Sequence, residues 1–270
     1  YTTGFVDLDK AITGLNKSDL VIIGARPAMG KTSLALNIAR NTAMMGKKKV
    51  LFFSLEMTKK QLAQRVLATE ARIESTKMRT GNINGEEWGR LATAAAVLSN
   101  CELYFDDTSE MTVPEMKSRI RRLRDVDAVF VDYLQLMKSG TRTEGRVQEV
   151  SEITRNLKLM AKDLNIPVVV LAQLARRTEA NGKSHRPQLS DLRESGSIEQ
   201  DADIVIMLYR DEYYAENNGE DPKSEEEKPA VNEAEFIISK NRHGPTNTVK
   251  VAWNGDYTLF TNLETLRNDM

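Results

Sequence analysis

The stretch Gly24-Ala25-Arg26-Pro27-Ala28-Met29-Gly30-Lys31-Thr32 constrains this chain more than any other. It follows the apolar run Leu20-Val21-Ile22-Ile23 and precedes a helix-like run, Ser33-Leu34-Ala35-Leu36-Asn37-Ile38-Ala39-Arg40. A buried strand, a tight loop of small residues, Gly-Lys-Thr and then a helix make a phosphate-binding loop. Successive backbone N–H groups and the positive end of the helix converge on one spot and favour an anion there. Lys31 is placed to reach the outer phosphates and the Thr32 hydroxyl to hold Mg²⁺. Ala28, Met29, Gly30 and Ser33 complete the nucleotide-binding candidates. The strict pattern has Gly where Ala25 stands; a small side chain is what that position needs.

Around this loop, strands and helices alternate. Strand candidates are 20–24, 50–55, 102–105, 127–132, 167–172 and 203–209; helix candidates are 31–45, 58–71, 86–98, 112–123 and 148–164. Such alternation predicts a mostly parallel sheet with helices on both faces. Toward the end, 235–239 and 248–253 flank a turn with Asn241, Gly244 and Pro245, and read as an antiparallel hairpin. Two polar stretches, Lys138 to Arg146 and Arg176 to Gly196, follow strands of the sheet on the edge where ligands bind.

Composition narrows the class. At 270 residues and 40% hydrophobic, the chain suits one large α/β domain. No run reaches the ~18 apolar residues of a membrane span. One cysteine, Cys101, and two histidines leave no disulfide framework and no zinc site, and suit a reducing cytosol. The net charge of −1 hides an acidic segment, 211–230, carrying −6, so the rest of the chain is at +5. That balance is compatible with nucleic acid held in a local groove. Tyr1 at the start, in place of Met, predicts a piece of a longer protein.

Hydrolysis of a bound nucleotide needs more than the loop. Val129-Phe130-Val131-Asp132 is an apolar strand ending in a carboxylate, and Asp132 is a candidate for supporting Mg²⁺; an Asp there also caps a turn. Glu56, ending Leu51-Phe52-Phe53-Ser54-Leu55-Glu56, is placed to orient or deprotonate water, or to favour the N-terminus of the next helix. Gln173 ends Val168-Val169-Val170-Leu171-Ala172-Gln173, where an uncharged amide either senses a γ-phosphate or is simply a polar strand end. Lys240 and Arg242, two apart near the hairpin turn, form either a solubilising tip or an arginine finger. His243 beside them reads as a surface residue.

Together and in this order, these pieces resemble the C-terminal motor domain of bacterial replicative DNA helicases, the DnaB family. The matching blocks are Thr3–Asp9, Ala25–Thr32, Phe53-Ser54-Leu55-Glu56-Met57, Val131-Asp132-Tyr133-Leu134-Gln135-Leu136, Asp191–Asp203 and Lys240–Thr246. They span nearly the whole chain, and the block from Asp191 to Asp203 separates this family from general recombinase-like ATPases. The family often has Ser where Ala28 stands. Its N-terminal collar domain has no counterpart in these residues.

The resemblance implies a RecA-like three-layer P-loop NTPase core, with residues 1–16 as a linker or docking segment and 17–270 as the motor domain. It implies a homo-hexameric ring with ATP sites between subunits, moving 5′→3′ on single-stranded DNA, with primase and a helicase loader as partners. It implies that Lys31 and Thr32 bind phosphate and Mg²⁺, Glu56 activates water, Asp132 supports Mg²⁺ and Gln173 senses the γ-phosphate. Lys240 and Arg242 would act on the neighbour's nucleotide. Arg65 matches a family arginine near the nucleotide and also suits a solvated helix face. Arg193, Glu194 and Gly196 match the family's DNA-contacting loop, where an Arg pairs with phosphate and a Gly admits close backbone approach. The rival reading is a recombinase that coats DNA as a filament.

Overall fold

The computed structural model describes residues 1–140, 145–174, 186–192, 195–211 and 232–263. Its centre is a nine-stranded sheet in the order β3-β2-β4-β5-β1-β6-β7-β8-β9. β1 (Leu20–Ala25), β2 (Val50–Ser54), β3 (Leu103–Asp106), β4 (Ala128–Asp132), β5 (Val168–Gln173) and β6 (Ile204–Tyr209) run parallel. β7 (Asn232–Asn241), β8 (Asn247–Asn254) and β9 (Leu259–Asn262) continue the sheet antiparallel.

The apolar runs explain this order. All six residues of β1 are buried, as a central strand covered on both faces requires. Its side chains alternate between two cores. Val21 and Ile23 join one core with α1 (Val6–Ile12), α2 (Lys31–Met44) and α3 (Lys59–Ala71). Leu20 and Ile22 join the other, with α6 (Val113–Leu123) and α7 (Arg146–Leu164). The result is three layers. A satellite cluster of Ile73, Leu91 and Ala94 links α3 to α5 (Gly85–Ser99) beyond the short helix α4 (Ser75–Thr80). Capping boxes start α3 at Thr58/Gln61, α5 at Asn84/Glu87 and α6 at Thr112/Glu115, each satisfying orphan N–H groups of a first turn.

Four elements depart from the sequence reading. α1, α4 and β9 lie where no element is expected, and α8 (Ser195–Asp201) replaces part of an expected loop. Each is short and held by tertiary contacts that outweigh weak local pattern. Residues 1–16 illustrate this: Phe5 packs edge-on against Phe236 at 5.2 Å, and Leu8, Ile12 and Leu15 are buried in the first core. Asp9 accepts hydrogen bonds from the Thr2 and Thr3 hydroxyls at 2.6 and 2.7 Å. None of the described helices is long and apolar enough to cross a membrane.

Candidate nucleotide site

The loop after β1 is shaped by left-handed residues. Ala28 has φ 64° and Gly30 φ 93°, so the backbone turns back on itself just before α2. The turn leads straight into the positive end of a 14-residue helix, whose first-turn N–H groups have no intrahelical acceptor. A Cβ at Gly30 would be strained by that φ, and would sit 3.3 Å from the Phe260 ring. Gly24 is equally confined: a Cβ there would meet Met207 Sδ at 2.7 Å. Met29 contributes only backbone here, because its side chain is buried in the first core. Trp253 and Phe260, with ring centroids 4.3 Å apart, floor the loop, and Phe260 N–H donates to Asn37 Oδ1 at 2.7 Å.

Three charged or polar side chains meet at the mouth. Thr32 Oγ1 donates to Asp132 Oδ2 at 2.7 Å, and Lys31 Nζ lies 3.9 Å from Asp132 Oδ1 and 4.0 Å from the centre of the Tyr133 ring. Asp132 is fully buried, and its Oδ1 has no hydrogen-bond partner. Burial pushes the Asp132 carboxyl above its ordinary value, against the opposing pull of Lys31 and the Thr32 hydrogen bond. Burial likewise pushes Lys31 down, with Asp132 and then Glu56 opposing. The exposed Glu56, in the turn after β2, also raises Asp132, whereas Arg65 on α3 lowers it. All four residues therefore share one electrostatic environment.

Gln173 ends β5 beside the loop, paired with Ala25. Its backbone is gripped by Gln135, a residue whose role the sequence reading missed. Gln135 Nε2 donates to Gln173 O, and Gln135 Oε1 accepts from Gln173 N–H, both at 3.1 Å.

Lys240 and Arg242 are elsewhere. β7 runs antiparallel to β6, so Asn241 lies opposite Ile204, at the end of the sheet where β1 begins. That is the edge away from Lys31. There Lys240 Nζ donates to Ala202 O at 2.6 Å and to Glu199 O, and Arg242 donates to Gln200 O at 2.5 Å. These are the last carbonyls of α8 and the residue beyond it, the negative end of a helix. Arg242 also pairs with Asp203 at 3.4 Å. Asp203 is a hub that the sequence did not announce: buried, it accepts from Leu20 N–H at 2.8 Å and from Lys158 Nζ at 2.5 Å. His243 is tied down too, with Nε2 2.7 Å from Asp19 Oδ2. Arg193 and Glu194 lie outside the described residues. Gly196 is exposed on α8, with nothing within 4 Å of where a Cβ would be.

The family described as DnaB-like helicase C terminal domain matches residues 1–262. The chain belongs to that family. It is 46% identical over 266 residues to the replicative DNA helicase DnaB of Geobacillus stearothermophilus, and equally to the replicative DNA helicase DnaC of Bacillus subtilis (strain 168). Each match covers 97% of the chain and 56% of the relative, so the chain spans little more than half of their length. Two solved structures superpose with a TM-score of 0.88 at 37% identity and 97% coverage of the chain. One is a DnaB-like replicative helicase studied with its interactions with primase, matched over 63% of its length; the other is an ATPase domain, matched over 90% of its length. The RecA-like three-layer fold expected from the sequence is the fold observed, and the filament-forming recombinase reading is not favoured by these relatives.

Proposed function

We propose that this chain is the ATP-driven motor of a replicative DNA helicase, acting as a homo-hexameric ring that moves 5′→3′ on single-stranded DNA in the cytoplasm. The observation that supports the reading is the placement of two groups of candidate residues on opposite edges of the sheet. Lys31, Thr32, Asp132 and Glu56 gather at one edge of the sheet, and Lys240 and Arg242 stand at the other. β1 alone separates the two edges by about 17 Å, at ~3.3 Å per residue. One chain cannot bring both groups to one nucleotide, so on this reading Lys240 and Arg242 serve a nucleotide held by a second copy.

The residues divide the work accordingly. The loop from Ala28 to Gly30 and the first turn of α2 through Ser33 hold the phosphates by backbone N–H groups, and Lys31 neutralises their charge. Glu56 takes the water proton, Gln173 reads the γ-phosphate, Arg65 lies near the nucleotide, and the neighbour's Lys240 and Arg242 offset charge developing in transfer. The Thr32 hydroxyl and the unpartnered Asp132 oxygen are hard oxygen donors that fit Mg²⁺. When bound, Mg²⁺ would screen the phosphate charge. Arg193, Glu194 and Gly196 would meet the DNA backbone, with primase and a helicase loader as protein partners.

The test is ATP hydrolysis across protein concentrations, with and without single-stranded DNA. A rate per chain that rises with concentration and again with DNA is expected. A rate independent of both sinks the reading.

A further inference from the structure

We propose that Gln135 is the positioning residue of the γ-phosphate sensor Gln173. Its carboxamide fixes the sensor's backbone against the Asp132 strand end, and so sets how well the site tells a nucleoside triphosphate from a diphosphate. The proposal rests on the ATPase reading above.

β4 and β5 are paired as far as Val131 and Val170 and then part. β5 continues to Gln173 along β1, whereas β4 ends at Asp132 and turns into the single helical turn Leu134–Leu136. In a parallel ladder a residue offers its N–H and C=O to the same side. Leu174 N–H goes to Ala25 O at 3.0 Å, on the β1 side. Gln173 faces the other way, where β4 is no longer present. One side chain fills the gap. With a donor and an acceptor 3.1 Å from Gln173 O and N respectively, the Gln135 carboxamide stands in for the missing peptide.

Gln135 is itself held. Arg146 Nη2 donates to its carbonyl oxygen at 2.7 Å, and Arg146 Nη1 pairs with Glu149 at 2.5 Å, so the first turn of α7 braces the bracket. Among the described residues, none hydrogen-bonds the Gln173 carboxamide. Fixed backbone and free amide are what a sensor needs: the ligand, not the loop, decides where the amide goes. Three elements thus meet in this one residue: the Asp132 strand, the sensor and the first turn of α7.

The experiment uses the full chain with Gln135→Met, which has the same length and no amide, Gln135→Glu, and Gln173→Ala as reference. Each is scored for ATPγS and ADP affinity, ATP turnover with DNA, and hydrogen exchange of the Gln173 amide. Gln135→Met should leave ADP affinity within about twofold, cut the ATPγS preference to that of Gln173→Ala, and lower kcat about tenfold at constant KM. The Gln173 amide should exchange about tenfold faster without nucleotide. Gln135→Glu keeps the acceptor and loses the donor, so exchange should stay slow while the preference falls. Equal loss of both affinities would make Gln135 a structural residue only and overturn the proposal. So would wild-type preference in Gln135→Met or in Gln173→Ala. Failure of the wild-type chain to hydrolyse ATP would instead remove the ATPase reading, with exchange and nucleotide preference still reporting on Gln135.

Discussion

If Arg242 serves a nucleotide held by another copy, two dead chains should make live sites when mixed. Lys31→Ala removes the cradle's cation and keeps the finger; Arg242→Ala keeps the cradle and removes the finger. Neither residue can substitute for the other within one chain, because they occupy opposite edges of the sheet. Loss of the finger is worth about 10³-fold or more in turnover, so each variant alone should be silent against wild type. In an equimolar random ring, an intact cradle faces an intact finger at about one interface in four, the product of two halves for a head-to-tail contact. The assay is single-turnover phosphate release, which counts chemically competent sites without asking neighbours to fire in turn. Co-assembly is checked by native mass spectrometry. The expected burst is about a quarter of the wild-type amplitude. Co-assembled mixtures with no burst above the separate variants would refute the argument and return Arg242 to its plain role as a cap on α8.

Other outcomes follow from the same geometry. Lys31→Ala should weaken nucleotide binding itself, measured by titration calorimetry; unchanged affinity would reject the cradle. Arg193→Ala should lower DNA-stimulated turnover more than basal turnover, and equal losses would count against a DNA role. Asp203→Ala strands Lys158, whose side chain is 16% exposed, without its carboxylate. Losing one partner of a buried pair costs about 3 kcal/mol at the low end, which lowers Tm by about 5 °C for a chain of this size; a fall under about 1 °C would refute the hub. Asp132→Asn should abolish hydrolysis yet raise Tm of the nucleotide-free chain. Because the folded Asp132 carboxyl is pushed up from 3.8, the stability it contributes is whole below that value and lost as pH rises through the folded value. The gain from Asn should therefore appear at pH 7 and vanish in acid, and a variant less stable than wild type at pH 7 would contradict the sign.

Central strands were legible because burial on both faces selects runs of apolar residues, with Ser54 and Asp132 as polar ends. The run 20–24 became β1 at Leu20–Ala25, and 50–55 became β2 at Val50–Ser54. The shape of the loop before α2 was legible because its pattern is local: Gly30 takes a positive φ, and Lys31 and Thr32 follow at fixed offsets. What the sequence hid is non-local. Gln135 and Gln173 are 38 residues apart, and only the parting of β4 and β5 makes one the other's partner. Gln135 lies in the block Val131–Leu136 that carries the family resemblance, yet no spacing rule names an amide that replaces a strand. Asp203 was hidden for the same reason, since Leu20 and Lys158 reach it from two other elements. α8 escaped because its seven residues, Ser-Gly-Ser-Ile-Glu-Gln-Asp, hold one apolar side chain, the buried Ile198, and carry little helical pattern.

The same cap explains why finger and DNA loop should move together on the proposed reading. In the chain alone, Lys240 and Arg242 direct their donors to the carbonyls that end α8. A neighbour's triphosphate offers those cationic donors several full negative charges where the carbonyls offer only dipoles, and a guanidinium can meet phosphate with two parallel bonds. Turning toward the phosphate therefore releases the negative end of α8, and loss of the γ-phosphate returns the donors to it. Gln200 is exposed, so water can take over its carbonyl, whereas Ala202 is buried and holds its place. Release is thus partial: it frees the last turn of α8 without unseating Ile198 from the second core. At its other end α8 begins directly after Arg193 and Glu194 in the sequence, so on the proposed reading the element biased by the neighbour's nucleotide adjoins the residues proposed to meet DNA.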